Sequence, residues 1–118
     1  MTFTQAIEAG FKNYTNFSGR AVRSEYWFWF LFEVLVQLGL WIVDSVTGIG
    51  VLGILFTLGT LLPGIAVTVR RLHDIDKSGW FLLVGLIPIV GAIIMLVWMC
   101  QEGTPGPNRF GPVPVVSA

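Results

Sequence analysis

Arg70-Arg71-Leu72-His73-Asp74-Ile75-Asp76-Lys77-Ser78-Gly79-Trp80 is the one dense charge cluster in a very apolar chain. Long hydrophobic runs flank it, over 49–69 and 80–100. A basic loop between two such runs is the pattern of a turn at a membrane surface. Composition agrees. Of 118 residues, 54% are hydrophobic and 12% charged, where a soluble domain carries about 25% charged residues. A water-soluble fold this small has too little interior for so much apolar surface. The formal net charge is zero, so bulk charge points to no nucleic-acid partner. Cys100 is the only cysteine, which excludes an intrachain disulfide. The first twenty residues hold no apolar core with a small-residue cleavage site, so no cleaved signal peptide is expected.

Upstream of the cluster, 49–69 reads as one membrane span. It is long enough to cross a hydrocarbon layer of about 30 Å at about 1.5 Å per residue. Gly53, Thr57, Thr60, Gly64 and Thr68 form a stripe of small residues along it. Such stripes let helix backbones approach closely in lipid. The stripe serves a neighbouring span or, in a second reading, a homo-oligomer through Gly53, Thr57, Thr60 and Gly64. Before it, 27–43 is a shorter span, entered through Tyr26-Trp27-Phe28-Trp29-Phe30 and joined to the next by the turn Asp44-Ser45-Val46-Thr47-Gly48. Residues 1–17 read as an amphipathic helix, with Phe3, Ile7, Phe11 and Tyr14 at helical spacing and Thr2 with Gln5 as a capping box. That stripe lies either in the headgroup layer or against the bundle. Ser18 is a candidate cap for the following helix.

Downstream, 80–100 reads as a third span interrupted by Pro88 and Gly91, with Asp76 or Ser78 capping its start. The tail, 101–118, is rich in Gly and Pro and reads as irregular and exposed. The expected fold is therefore all-α. It is a single integral membrane domain over 1–118, a bundle of three transmembrane helices preceded by an amphipathic helix. Lys12, Arg20 and Arg23 flank the first span and Arg70, Arg71 and Lys77 follow the second. The positive-inside rule puts the amino terminus and the central loop in the cytoplasm. Three crossings then place the tail outside.

Polar residues inside spans carry most of the functional information. Tyr26, Glu33, Gln37 and Asp44 fall on one helical face, which should turn toward other helices. They serve as hydrogen-bonding glue or, with Glu33 and Gln37, line a polar path. Glu33 and Pro63 each lie about 9 Å from the basic end of their spans, and Pro88 about 12 Å. A proline frees the carbonyl four residues earlier, here Gly59 and Val84. A neutral Glu33 donating to one of these carbonyls is the expectation.

The central loop supports three readings. It is an ordinary topology-setting loop with Arg70 and Asp74 paired four apart. Or Arg20, Arg23, Arg70, Arg71 and Lys77 converge on an anionic lipid headgroup or other phosphate. Or His73, Asp74 and Asp76 hold a metal or move protons, although their spacing matches no strong ligand pattern. No phosphate-binding loop, nucleophile elbow or zinc-protease helix is present. Cys100 reads as a small packing residue.

Several pieces in order resemble one family. They are Phe17-Ser18-Gly19-Arg20 with Arg23-Ser24-Glu25-Tyr26-Trp27; Arg70-Arg71-Leu72-His73-Asp74 with Ser78-Gly79-Trp80; Pro88 with Gly91; and Gly106-Pro107-Asn108-Arg109-Phe110-Gly111-Pro112. The chain resembles, from about Phe11 to Pro114, the bacterial inner-membrane family catalogued as domain of unknown function 805. The resemblance implies a small multi-pass inner-membrane protein and brings no catalytic residue, cofactor or metal. The function expected is non-catalytic, through helix packing and contacts with a partner or anionic lipid. The alternative is a small transporter or channel-like subunit with a path at Glu33 and Gln37. An enzyme ranks third.

Overall fold

The computed structural model describes residues 1–114. Their order is α1 (Phe3–Lys12), α2 (Arg23–Thr47), α3 (Leu52–Asp74), a 3-10 helix (Gly79–Leu86) and α4 (Val90–Cys100). No strand occurs among the described residues; an isolated bridge joins Asn108 and Gly111. The last four residues of the expected tail lie outside the described part.

Among the described residues, helices α2 and α3 are the two long enough and apolar enough to cross a bilayer. At about 1.5 Å per residue they measure about 37 and 35 Å. Their apolar side chains face outward: only 6% of the most hydrophobic window of α2 is buried, and 22% of that of α3. The core helix of a soluble protein would show the reverse, so these surfaces face lipid. Both helices outrun the expected spans. Helix α2 starts at Arg23, and the capping position before it is Val22, with no side-chain cap, so Ser18 does not cap it. It ends at Gly48, whose left-handed backbone (φ 75°) closes the turn. Asp44 then reaches across that turn, and its carboxylate oxygens accept from the Leu52 and Gly53 amides, capping α3.

The third expected span is not one helix. It divides into the 3-10 helix and α4, each about 16 Å long at about 2.0 and 1.5 Å rise. Pro88 has no amide proton and forces Ile87 into extended backbone (φ −76°, ψ 117°). Ile89 follows at φ 65°, and the chain reverses. The two pieces lie side by side, with Phe81 edge-on to Trp98 and Gly85 beside Met95. At Gly91 a side chain would collide with the Val84 carbonyl, so the hairpin closes only over glycine. Ser78 accepts from the Trp80 amide and opens the first piece, as expected of a cap. Both ends of the hairpin return to the basic end of α3: Gly79 abuts Val69, and Gly103 abuts Asp74. The tail therefore shares an end of the bundle with the central loop, not the opposite end that three crossings would require.

The capping box of Thr2 and Gln5 forms at the start of α1. This helix packs on α2, with Phe3 edge-on to Phe28 and Phe11 edge-on to Trp29 and Phe32. Ala6 and Gly10 are its buried positions. The apolar core is small: Ala21, Trp29 and Val67, with Tyr26 and Phe32 against them.

Candidate functional site: a buried charge lattice at one end of the bundle

The apolar run of α3 ends at Val69, and its last turn projects the charged cluster into a layer of loops. Arg71 and Asp74 share a face of that turn, three residues apart, and Arg71 Nη1 donates to Asp74 Oδ2 at 2.7 Å. Arg20, in the linker after α1, donates from Nε to Asp74 Oδ1 at 3.0 Å. One carboxylate thus joins two guanidinium groups, whose side chains are 0% and 1% exposed. Buried cations need their remaining donors satisfied. The tail supplies the acceptors. Arg20 donates to the carbonyls of Thr104 (2.7 Å), Gly106 (2.9 Å) and Gly111 (3.3 Å). Arg71 donates to the carbonyls of Met99 and Gln101. Gly103 lies so close to Asp74 that any side chain would overlap the carboxylate.

Backbone bonds tie the same layer together. The Ala21 amide donates to the Arg70 carbonyl at 2.9 Å, and the Thr104 amide to the Asp74 carbonyl at 2.8 Å. Asn108 donates from Nδ2 to the His73 carbonyl at 2.9 Å. Trp27 donates from Nε1 to the Met99 carbonyl at 3.0 Å. The motifs that are far apart in sequence are therefore one contact set.

His73 belongs to this set. Its Nδ1 lies 2.8 Å from the Gly19 carbonyl. A carbonyl only accepts, so Nδ1 carries the proton and a neutral ring keeps its lone pair on Nε2. The ring stacks on Phe110, centroids 3.9 Å apart and planes 3° from parallel. Burial lowers the imidazole pKa below its ordinary range; the Gly19 carbonyl opposes this, and nearby Arg109 adds to it. Neither carboxylate proposed with His73 as a metal set faces it. Asp74 is held by arginines, and Asp76 pairs with Arg109 at the surface. Among the described residues no three His, Cys, Asp or Glu side chains cluster to hold an ion.

The five basic candidates are not one open patch. Arg20 and Arg71 meet at Asp74. Arg70 turns away to Glu25, not to Asp74 as the four-residue spacing suggested. Arg23 is exposed and donates to the Cys100 carbonyl. Lys77 sits over the rings of Phe81 (5.8 Å) and Trp98 (5.1 Å). The Arg70 side chain is 4% exposed, and its Nε and Nη2 have no hydrogen-bond partner among the described residues. It lines a cavity of about 390 Å³ shared with Lys12, Asn13, Asn16 and Arg20.

The intramembrane candidates face α3, as their shared helical face required. Gln37 donates from Nε2 to the Gly53 carbonyl and to Thr57 Oγ1. Glu33 lines a cavity between α2 and α3 with Thr57, Thr60 and Gly64, and its Oε1 has no partner among the described residues. It bonds neither freed carbonyl. The Gly59 carbonyl, released by Pro63, accepts from the Tyr14 hydroxyl, and the Val84 carbonyl accepts from the Ile87 amide. The small-residue stripe is the face on which α2 rests: Gly53 lies beside Gln37 and Asp44, and Gly64 beside Trp29. Cys100 is exposed rather than packed.

Sequence reasoning missed Glu25, Asp74 as a double partner, Tyr14 and the tail carbonyls. Glu25 and Asp74 carry a signal, since each stands within a quoted motif beside arginines. Main-chain acceptors carry none.

The chain is 44% identical over 109 residues to inner membrane protein YhaH of Escherichia coli K12, covering 87% of this chain and 90% of that one. It is 42% identical over 102 residues to inner membrane protein YhaI of the same strain, covering 85% and 86%. Uncharacterized protein YiiR of that strain is 31% identical, covering 81% and 84%. No solved structure matches. The family described as protein of unknown function DUF805 matches residues 14–112, which run from Tyr14, the donor to Gly59, to the end of the tail segment that cages Arg20. The chain belongs to that family.

Proposed function

We propose that the chain is a non-catalytic bacterial inner-membrane protein that holds an anionic phosphate headgroup at its cytoplasmic face. The observation that carries this reading is Arg70. Its guanidinium is buried with two donors unmet, beside a cavity that also presents Lys12, Asn13 and Asn16. An unmet buried donor costs about 1–3 kcal/mol, and phosphate oxygens bind guanidinium through paired donors. The basic candidates then divide by role. Arg20 and Arg71 build the platform, Arg70 binds, and Arg23 and Lys77 flank it at the interface.

All seven Lys and Arg residues lie at the end of α1, in the linker after it, at the first residue of α2, in the last turn of α3, in the loop that follows or in the tail, and none lies over 43–51. Positive-inside bias places their end of the bundle in the cytoplasm. Two crossings suffice, and the hairpin re-enters from the same side. The relatives named as inner membrane proteins support the location.

Native mass spectrometry of the protein released from gentle detergent tests the headgroup site. The wild-type protein retains phosphatidylglycerol. Lys12→Ala with Asn16→Ala, both exposed side chains, loses it while the helical circular dichroism is unchanged. Equal retention by that variant overturns the reading.

A second reading is a transport path at Glu33, favoured by its unpartnered oxygen. It needs an oligomer, because two crossing helices enclose no pore. Glu33→Gln then alters flux in vesicles while the fold survives.

A further inference from the structure

The cavity of about 530 Å³ between α3 and the re-entrant hairpin shares no lining residue with the Arg70 cavity and adjoins the Glu33 groove across Ile65 and Leu82. Its walls are apolar, from Ile65, Val69, Trp80 and Leu83. Ile65, Val69 and His73 follow one another at four-residue spacing, a stripe about 12 Å long on one face of α3. The polar groups lining it, His73 and Ser78, belong to the loop end of that stripe. Trp80 and Leu83 are largely exposed, so the cavity opens on the lipid-facing surface.

The chemistry of the polar end is specific. His73 is 8% exposed, and among the described residues its ring has one hydrogen-bond partner, Gly19, through Nδ1. Its Nε2 is left for a ligand in a cavity that His73 lines. Ser78 already accepts from the Trp80 amide through its oxygen, which leaves its hydroxyl proton to donate. A ligand that fits must donate to an imidazole nitrogen, accept from a hydroxyl and carry an apolar chain into the stripe. A carboxylic acid does all three. Its O–H donates to Nε2 and its carbonyl oxygen accepts from Ser78. If the proton passes to Nε2, the imidazolium has two N–H groups, one for Gly19 and one for the carboxylate. Atoms and charge balance in either state.

We infer that this cavity is a binding site for a single-chain fatty acid, with His73 and Ser78 holding the carboxyl and the Ile65–Val69 stripe holding the chain. This reading is independent of the phosphate site.

His73 is the only histidine, so selective ¹⁵N-imidazole labelling gives one reporter. Dodecanoic acid titrated into the protein in nanodiscs shifts the Nε2 resonance saturably, and methyl dodecanoate, which has no acid proton, leaves it in place. Ser78→Ala weakens binding about two- to twelvefold, the worth of one hydrogen bond. Because Ser78 also caps the 3-10 helix, a second variant is needed. Ile65→Trp fills the stripe, keeps the His73 signal at its ligand-free position and abolishes the shift. An Nε2 resonance that dodecanoic acid does not move, or that the ester moves equally, overturns the proposal. The second outcome makes the cavity an apolar acyl groove without carboxyl recognition.

Discussion

Arg20 Nε donates to Asp74 Oδ1 at 3.0 Å across 54 residues of sequence, with both side chains almost fully removed from water. Asp74 is at the same time the counter-charge of Arg71. Replacing it by Asn keeps the volume but leaves two buried guanidinium groups without a neutralising partner. Removing one member of a buried pair costs about 3–5 kcal/mol. Asp74→Asn should lower the thermal midpoint in detergent sharply and free the tail to proteolysis. Arg20→Lys should fail nearly as badly, since one ammonium cannot serve a carboxylate and several carbonyls at once. A near-native midpoint for both variants would show that the lattice holds little.

The hairpin makes a topological prediction. With two crossings the amino and carboxyl ends share a side; with three they do not. Green fluorescent protein fused after Ala118 should fluoresce, and alkaline phosphatase fused there should be inactive. A phosphatase inserted after Gly48, in the turn between α2 and α3, should be active. Active phosphatase at the carboxyl end would restore a third crossing.

Much of this fold was legible in the sequence, and the misses share a cause. The two long helices follow from apolar runs, and the α2 polar face from Gln37 and Asp44 at spacing that aligns them. The third segment has the composition of a span, but composition counts residues and does not see direction. Pro88 and Gly91 mark an interruption; that it reverses the chain depends on Gly91 meeting the Val84 carbonyl, a contact made in space. The basic residues were visible as a cluster. Their division into Arg20–Asp74–Arg71 and Arg70–Glu25 was not, because helical spacing pairs near neighbours and these partners come from other segments.

Two glycines should be intolerant of even a methyl group. Gly91→Ala would drive a Cβ into the Val84 carbonyl and force the hairpin open, and Gly103→Ala would drive one into Asp74. Overpacking of this kind costs about 1–3 kcal/mol. Gly106 has open space where its Cβ would lie, and Gly106→Ala is the matched control. The three thermal midpoints, measured together, should separate the first two from the third.

His73 should make stability depend on pH over a defined window. Its folded pKa is lowered, chiefly by burial. The unfolded imidazole titrates near its ordinary value of about 6.5. Above that value neither state binds the proton, and the full contribution is present. As pH falls through it, the unfolded chain gains a proton that the folded chain refuses, and stability drops until the lower folded value is passed. Thermal midpoints between pH 7.5 and 5 should fall for the wild type. His73→Asn, which keeps a donor toward Gly19 but does not titrate, should flatten the slope. Asp76 and Arg109 pair with each other nearby at the surface. A slope that survives in His73→Asn would assign it to another group.

Tyr14 and Pro63 should be coupled although neither touches a charged group of the lattice. Pro63 has no amide, so the Gly59 carbonyl loses its helical donor, and the Tyr14 hydroxyl takes that place from outside α3. Tyr14→Phe strands the carbonyl inside an apolar layer at a cost of about 1–3 kcal/mol. Pro63→Ala restores an amide at position 63, which bonds Gly59 within the helix and makes the hydroxyl redundant. In the Pro63→Ala background, Tyr14→Phe should therefore cost much less than in the wild type. The difference between the two costs, read from a double-mutant cycle of thermal midpoints, is the coupling energy. An equal cost in both backgrounds would mean that Tyr14 acts through packing alone, and that lipid-depth water or another donor serves Gly59. A large coupling would identify this bond as the tie that fixes α1 and its linker to the mid-section of α3. Arg20 follows in the same linker, so the tie also sets where the guanidinium meets Asp74.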